Sequence, residues 1–258
     1  GIPMDITDIK GANVRKILDV LRFSSGMVKR EIASDTGLSF STVSNVCNAL
    51  EDLHILYETK SGDTTVGRTP DKFHFNSGGY CSLCVERPQE DILRISALDF
   101  ANKLLFQTEL PLTADDDAMS LSNYIQQVYE DLAHSQGFSG IEFVGVGLSV
   151  SGGQGHKNRQ LTNGLHSNFD NTSLEELIRQ RTGLPCYTES QANLCVVSVS
   201  QAGHDSENIL YLHSSTILSV GVICEGNLLR GRNGNAADIA HIPIGAPDNV
   251  CPRCGAHG

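Results

Sequence analysis

The stretch NVRKILDVLRFSSGMVKREIASDTGLSFSTVSNVCNALEDLHIL, Asn13–Leu56, carries three apolar rhythms separated by two breaks. In the first, Val14, Ile17, Leu18 and Leu21 recur at helical spacing and share one face. A second helix is expected from about Val28, with Ile32 and Ala33 inward, until TGLS interrupts it. Gly37 suits a tight turn there, and Ser39 can cap a third helix through its side-chain oxygen. On that helix Val43, Val46, Leu50 and Leu53 repeat at intervals of three, four and three. Ser41, Thr42, Ser44, Asn45 and Asn48 lie off this stripe. Two helices joined by a glycine turn, the second with small polar groups near its start, fit a helix-turn-helix. Such a helix enters the DNA major groove, where hydroxyls and amides read base edges. Ser39, Ser41, Thr42, Ser44 and Asn45 are therefore the candidate readers.

The following segment, HILYETKSGDTTVGRTPDKFHFN (His54–Asn76), reads as strand, polar glycine-containing tip and strand. That is the wing of a winged helix. Lys29, Lys60, Arg68 and Lys72 are placed to meet phosphates, which position a protein on DNA without reading sequence. The alternative is a three-helix bundle with a hairpin, whose polar face is merely solvated. Net charge separates the two halves of the chain. Residues 1–76 carry 9 Lys/Arg against 10 Asp/Glu, whereas residues 77–258 carry 10 against 20. The near-neutral first part implies modest affinity per module, so a homodimer or higher homo-oligomer on paired half-sites is expected.

The 258 residues are enough for a sizeable core. No apolar run approaches the ~18 residues of a membrane span and no charged-then-apolar segment opens the chain, so no membrane partner is expected and the cytoplasm is the expected compartment. Eight cysteines, scattered and several within apolar runs, differ from a dense secreted disulfide framework. Most are expected to be buried thiols, including Cys81 and Cys84 in YCSLCVE.

From Asp91 the pattern changes. DILRISALDFANKLLFQTEL reads as a hairpin turning at Ala101-Asn102, and SLSNYIQQVYEDLAHSQG as a helix with Leu121, Ile125, Val128 and Leu132 on one face. IEFVGVGLSV is a buried strand that empties into the Gly-rich SGGQGHKNRQ. Helices and strands then alternate through SLEELIRQRTG, LPCYT, SQANLCVVSVSQAG, NILYLHSS and TILSVGVICEG, which predicts a mixed α/β domain. The expected division is a winged helix over residues 1–76 and this α/β domain over 77–258.

The order of motifs resembles the ROK family (repressors, open reading frames and sugar kinases), and within it repressors of the xylose type. The residues that carry the resemblance are the helix-turn-helix, GRTPDKFHFN, VGVGLSVSGG, GLPCYTESQANL, GVICEGNLLRGRNGNAADIAH and CPRCGAHG. It implies an actin-like, ribonuclease H-like sugar-kinase fold whose second lobe is incomplete here. It also implies a transcriptional repressor of carbohydrate genes, binding operator DNA and tuned by a sugar, a sugar derivative or a protein partner.

A sugar kinase must cradle ATP phosphates with Gly-rich turns and deprotonate a hydroxyl with a carboxylate. The family's first phosphate loop has an Asp-x-Gly-x-Thr pattern. The matching place here reads VERPQED, without glycine and with a proline that removes a backbone donor. The second nucleotide motif reads SSTILSVGVI, and Gln191 in SQAN stands where the resemblance puts the catalytic aspartate. An amide binds a hydroxyl but does not take its proton. No enzyme activity is expected, and no catalytic residue is assigned. The resemblance gives Asn168, Gln191, Asp238 and His241 as sugar-contacting positions, although Asn168 and Asp238 read equally as a loop cap and a surface residue. Rival readings are a residual sugar kinase and a constitutive DNA-binding protein without an effector.

The resemblance also implies one structural Zn²⁺. His241, Cys251 and Cys254 match three of its ligands, with one extra residue between the two cysteines. Cys-x-x-Cys is itself a common zinc spacing. The family's last cysteine would follow Gly258, so either the natural chain continues with a cysteine there or the fourth ligand is lost.

Overall fold

The computed structural model describes residues 11–22, 24–59, 71–89, 91–150, 174–202, 206–214 and 218–231, together with the single residues 236, 239, 242, 245, 250, 255 and 257. Two compact units emerge. The first comprises Gly1–Cys81 with Leu98–Leu105 and Gly140–Glu142; the second comprises Ser82–Ala97, Phe106–Ser139 and Phe143–Gly258.

In the first unit, α1 (Gly11–Arg22), α2 (Lys29–Thr36) and α3 (Phe40–Asp52) precede a hairpin of β1 (Leu56–Thr59) and β2 (Lys72–Phe75). Local chemistry sets each boundary. Glu31 accepts the Val28 amide proton at 2.9 Å, which satisfies a donor at the start of α2. Gly37 ends that helix at φ 67°, a left-handed conformation that costs glycine little. Ser39 caps α3 by accepting from Thr42 N at 3.1 Å. The side chains of Val14, Ile17, Leu21, Ile32, Val43, Val46, Leu50, Leu56 and Phe73 then form one buried core. Each large apolar side chain so buried contributes about 1.5–3 kcal/mol before entropy is counted. Leu53 departs from the expected stripe. It lies just past α3, at the cap position, and is 38% exposed, while Cys47 takes the buried place.

The hairpin pairs Leu56 with Phe75, Tyr57 with His74, Glu58 with Phe73 and Thr59 with Lys72. Met27 joins as a short third edge, exchanging both backbone hydrogen bonds with Phe73. Three helices followed by this small sheet agree with the order of elements expected from the sequence.

A five-stranded sheet has the order β5-β4-β3-β6-β7, from β3 (Tyr80–Gln89), β4 (Ile92–Asp99), β5 (Leu104–Pro111), β6 (Glu142–Val150) and β7 (Cys186–Ser190). β6 and β7 run parallel. In the second unit, α4 (Ala118–Ala133) packs on α5 (Leu174–Thr182), and α5 packs on β7. A smaller antiparallel sheet, β10-β9-β8, is built from β8 (Ile209–Ser214), β9 (Leu218–Cys224) and β10 (Asn227–Leu228). α6 (Gln191–Gln201) lies against β8 and β9. Gly221 permits that approach, because a Cβ there would overlap the Ala192 carbonyl. The hairpin matches the sequence reading, as does the α4 face at Leu121, Ile125 and Leu132, with Val128 half-buried. β6 is a strand as expected but only partly buried, at Gly145, Val146, Leu148 and Val150.

Candidate functional site

α3 presents its polar residues outward because its apolar stripe is fixed in the core. Ser41, Asn45 and Asn48 are exposed, and Thr42 and Ser44 are half-buried. At its start, Ser39 Oγ lies 3.0 Å from Ser41 Oγ and 2.8 Å from Thr42 Oγ1. The capping serine is thus tied into a hydroxyl cluster.

Lys29 holds a different position from a freely exposed phosphate contact. Its Nζ donates to Ser44 Oγ at 3.2 Å and to Asn48 Oδ1 at 3.0 Å, and lies 5.0 Å from the Phe73 ring centroid. It ties α2 to α3 across the turn. Asn48 was read as part of the polar face but not as a reader; its position four residues after Ser44 was the signal available for it. Beside this tie, a cavity of about 390 Å³ is lined by Val28, Lys29, Arg30, Phe40, Glu58 and Asp71 with Phe73. Lys72 is exposed at the loop end of the hairpin, opposite Thr59. Lys60 and Arg68 lie outside the described residues.

The turn at residues 98–105 also belongs to the first unit. Arg22 Nε donates to the Phe100 carbonyl at 3.2 Å, and the guanidinium reaches Asn102 Oδ1 at 3.4 Å. Phe100 packs edge-on against Phe75 and Tyr80, with centroids 5.7 and 6.2 Å away. Neither Arg22 nor Phe100 was singled out from sequence, because nothing in the spacing joins positions so far apart.

Of the place expected for the first phosphate loop, Val85–Asp91, the first five residues are strand and Asp91 is in a turn, with Glu90 outside the described residues. β3 continues through Val85, Glu86, Arg87, Pro88 and Gln89. Its backbone is extended where a nucleotide loop needs amides converging on one point. Gln191 is the first residue of α6, directly after its cap Ser190. Beside it, Glu189 accepts from Asn193 Nδ2 at 2.8 Å and the Ser190 amide at 3.0 Å through one oxygen, and from Arg230 Nε at 2.9 Å through the other. This carboxylate accepts from three donors. Asn168, Asp238, His241, Cys251 and Cys254 lie outside the described residues. Val250 and His257, which flank the two cysteines, form an antiparallel bridge.

Among the described residues, no group of three or more His, Cys, Asp and Glu is placed to hold a metal. Cys81 is buried and Cys84 half-buried on β3. Three residues apart on a strand, they point to opposite faces and make no chelating pair. Burial pushes the Cys47 thiol up to about 11, Cys81 to about 11 and Cys186 to about 12, so all three are uncharged at neutral pH. No described helix is long and apolar enough to cross a membrane.

A family model described as the ROK family matches residues 90–258. The xylose repressor of Bacillus subtilis (strain 168) is 26% identical over 267 residues, which cover 99% of this chain and 67% of the repressor. A glucokinase of Halalkalibacterium halodurans is 23% identical over 169 residues, covering 64% of this chain and 51% of the kinase. The crystal structure of a ROK family transcriptional regulator, a homolog of the E. coli MLC protein, superposes with a TM-score of 0.78 at 19% identity. It covers 97% of this chain, which spans 63% of that regulator. The structural likeness carries the fold, a mixed α/β sugar-kinase-like domain preceded by the helices and hairpin described above.

The buried thiols give a pH signature with a defined sign. Unfolded thiols ionise near 8.5, before the folded ones, so their stabilisation is complete below that pH and is lost as pH rises towards about 11. The urea midpoint should fall across this window, and less steeply in Cys47→Ala. Equal slopes in the two proteins would show that Cys47 takes no part.

Proposed function

Because the chain belongs to the ROK family, we propose that it is a DNA-binding transcriptional repressor of carbohydrate-related genes. α3 reads the major groove, and the sugar-kinase-like domain serves as effector-binding and dimerisation module without catalysing phosphoryl transfer. The observation that carries this reading is the outward polar face of α3, Ser41, Asn45 and Asn48, beside a paired hairpin. The repressor likeness over nearly the whole chain supports it. Ligand binding to the second unit would act by favouring one spacing of paired modules over another, which changes the fit to two half-sites. The cytoplasm is the compartment in which such a protein meets its operator.

Loss of one base-edge contact typically costs about 1–3 kcal/mol and relaxes preference at one base pair. Asn45→Ala is therefore expected to weaken operator binding roughly 5- to 150-fold in a titration at fixed salt. A variant that binds selected and scrambled DNA as the parent does would remove Asn45 from the interface.

Catalysis needs a base and a phosphate cradle together. Strand geometry through Pro88 and the amide at Gln191 oppose both requirements. A coupled assay with ATP and a panel of hexoses is expected to read background for the parent chain and for Gln191→Asp. Turnover by the parent would favour the kinase reading, which the glucokinase likeness keeps in view.

His241, Cys251 and Cys254 are proposed to hold one structural Zn²⁺, with Asn168, Gln191, Asp238 and His241 near the sugar. The bridge between Val250 and His257 supports the metal reading, because it brings together the backbone on either side of the two cysteines. Zinc would supply cross-linking there and no chemistry. Elemental analysis of purified protein should give about one zinc per chain and a marked loss in Cys254→Ser. Equal zinc contents would place any metal elsewhere.

A further inference from the structure

We propose that Lys29 is a positioning residue that sets the polarity of the recognition face, turning Asn48 and Ser44 into hydrogen-bond donors directed at guanine, with thymine as second choice. The inference rests on the DNA-binding reading above and specifies what that surface recognises.

Lys29 opens α2, and its side chain crosses to α3. The ammonium is held from three sides, by Ser44 Oγ at 3.2 Å, Asn48 Oδ1 at 3.0 Å and the face of Phe73 with its centroid 5.0 Å away. Phe73 cannot drift: its side chain is 1% exposed and its backbone is bonded in both directions to Met27. The aromatic face attracts the cation independently of the two oxygens, so the ammonium has a fixed seat.

An ammonium has three donors and no acceptor. The orientation of Asn48 follows without any need to distinguish amide nitrogen from oxygen directly, since only Oδ1 can face Lys29. Asn48 is exposed, and its Nδ2 carries the amide donors that remain. Ser44 likewise accepts from Lys29, so its own proton is free to point elsewhere. Residues 44 and 48 are one turn apart on α3 and share a face. That face therefore offers donors backed by a positive charge.

Free asparagine commonly reads adenine by pairing both ways, Nδ2 to N7 and Oδ1 from the N6 amino group. Here Oδ1 is engaged by the cation. Its second lone pair is a poor site for an adenine amino group, whose positive hydrogen would come close to the ammonium. Guanine presents two acceptors, N7 and O6, and thymine presents O4. Both match donors and gain from the charge behind them. Cytosine and adenine place an amino group there and are disfavoured.

Selection of bound duplexes from a randomised pool tests this, using the full chain and its Asn48→Ala, Lys29→Met and Lys29→Arg variants. The parent is expected to enrich guanine, then thymine, at one position of each half-site, and that preference should vanish in Asn48→Ala. Lys29→Met should admit adenine at the same position, with a roughly tenfold rise in its relative enrichment. Lys29→Arg, which keeps charge and donors, should retain the guanine preference. Adenine enriched by the parent at the Asn48-dependent position would overturn the proposal, as would the absence of any such position. A uniform affinity loss in Lys29→Met with unchanged base preference and a shallower salt slope would make Lys29 a phosphate contact instead. Asn48 is exposed, so Asn48→Ala is informative even if Lys29→Met does not fold. If the folded parent enriches no sequence at all, the DNA-binding reading itself fails.

Discussion

Burial of Val43, Val46, Cys47 and Leu50 against Ile17, Leu21, Ile32 and Phe73 is the constraint from which the first unit follows. A helix has one side to give to a core, and once these four residues occupy it, rotation about the axis of α3 is fixed. Ser41, Asn45 and Asn48 face solvent as a consequence. Rotation by one residue would bury an amide without a partner, at a cost of about 1–3 kcal/mol, and expose a large apolar side chain. The outward polar face of α3 is thus a product of the core. Gly37 and the Ser39 cap then set where that surface begins.

The second unit shares the fold of sugar kinases, and the positions that the resemblance assigns to the phosphate loop and the base carry different chemistry. Extended backbone through residues 85–89 cannot fold its amides around a phosphate, and Gln191 carries no exchangeable charge at neutral pH. Glu189 stands close by in sequence, yet its two oxygens are committed to Asn193, the Ser190 amide and Arg230. Those bonds brace the start of α6 and connect β7 to Arg230, just past the small sheet.

Legibility in the sequence tracked how local each determinant is. The α3 stripe, the glycine turn, the serine cap and the hairpin at Ala101-Asn102 depend on neighbours within a few residues, and all were readable. Leu53 misled because the apolar rhythm continues one step past the helix end, where Cys47 had already filled the interior. The bond of Lys29 to Ser44 and Asn48, and the seat of Arg22 on Phe100, span α2 to α3 and 78 residues respectively. Periodicity holds no information about such pairs. The reading of Asn168, Asp238, His241, Cys251 and Cys254 rests on motif resemblance, with no geometry to weigh against it.

These long-range ties bear on how the surface can work. Residues 1–76 contain 9 cationic side chains against 10 acidic ones, a poor electrostatic basis for holding a polyanion. Arg22 is bonded to the Phe100 turn, Lys29 to α3, and Arg15 lies 3.9 Å from Asp19 on α1. With cations and acids nearly balanced in this part of the chain, the proposed binding would draw modestly on counterion release per module and more on contacts to base edges and on joining two modules. Under the proposed function, a lysine that orders the amide facing a base would contribute more than one added phosphate contact, and reliance on paired modules would make their separation the quantity an effector controls.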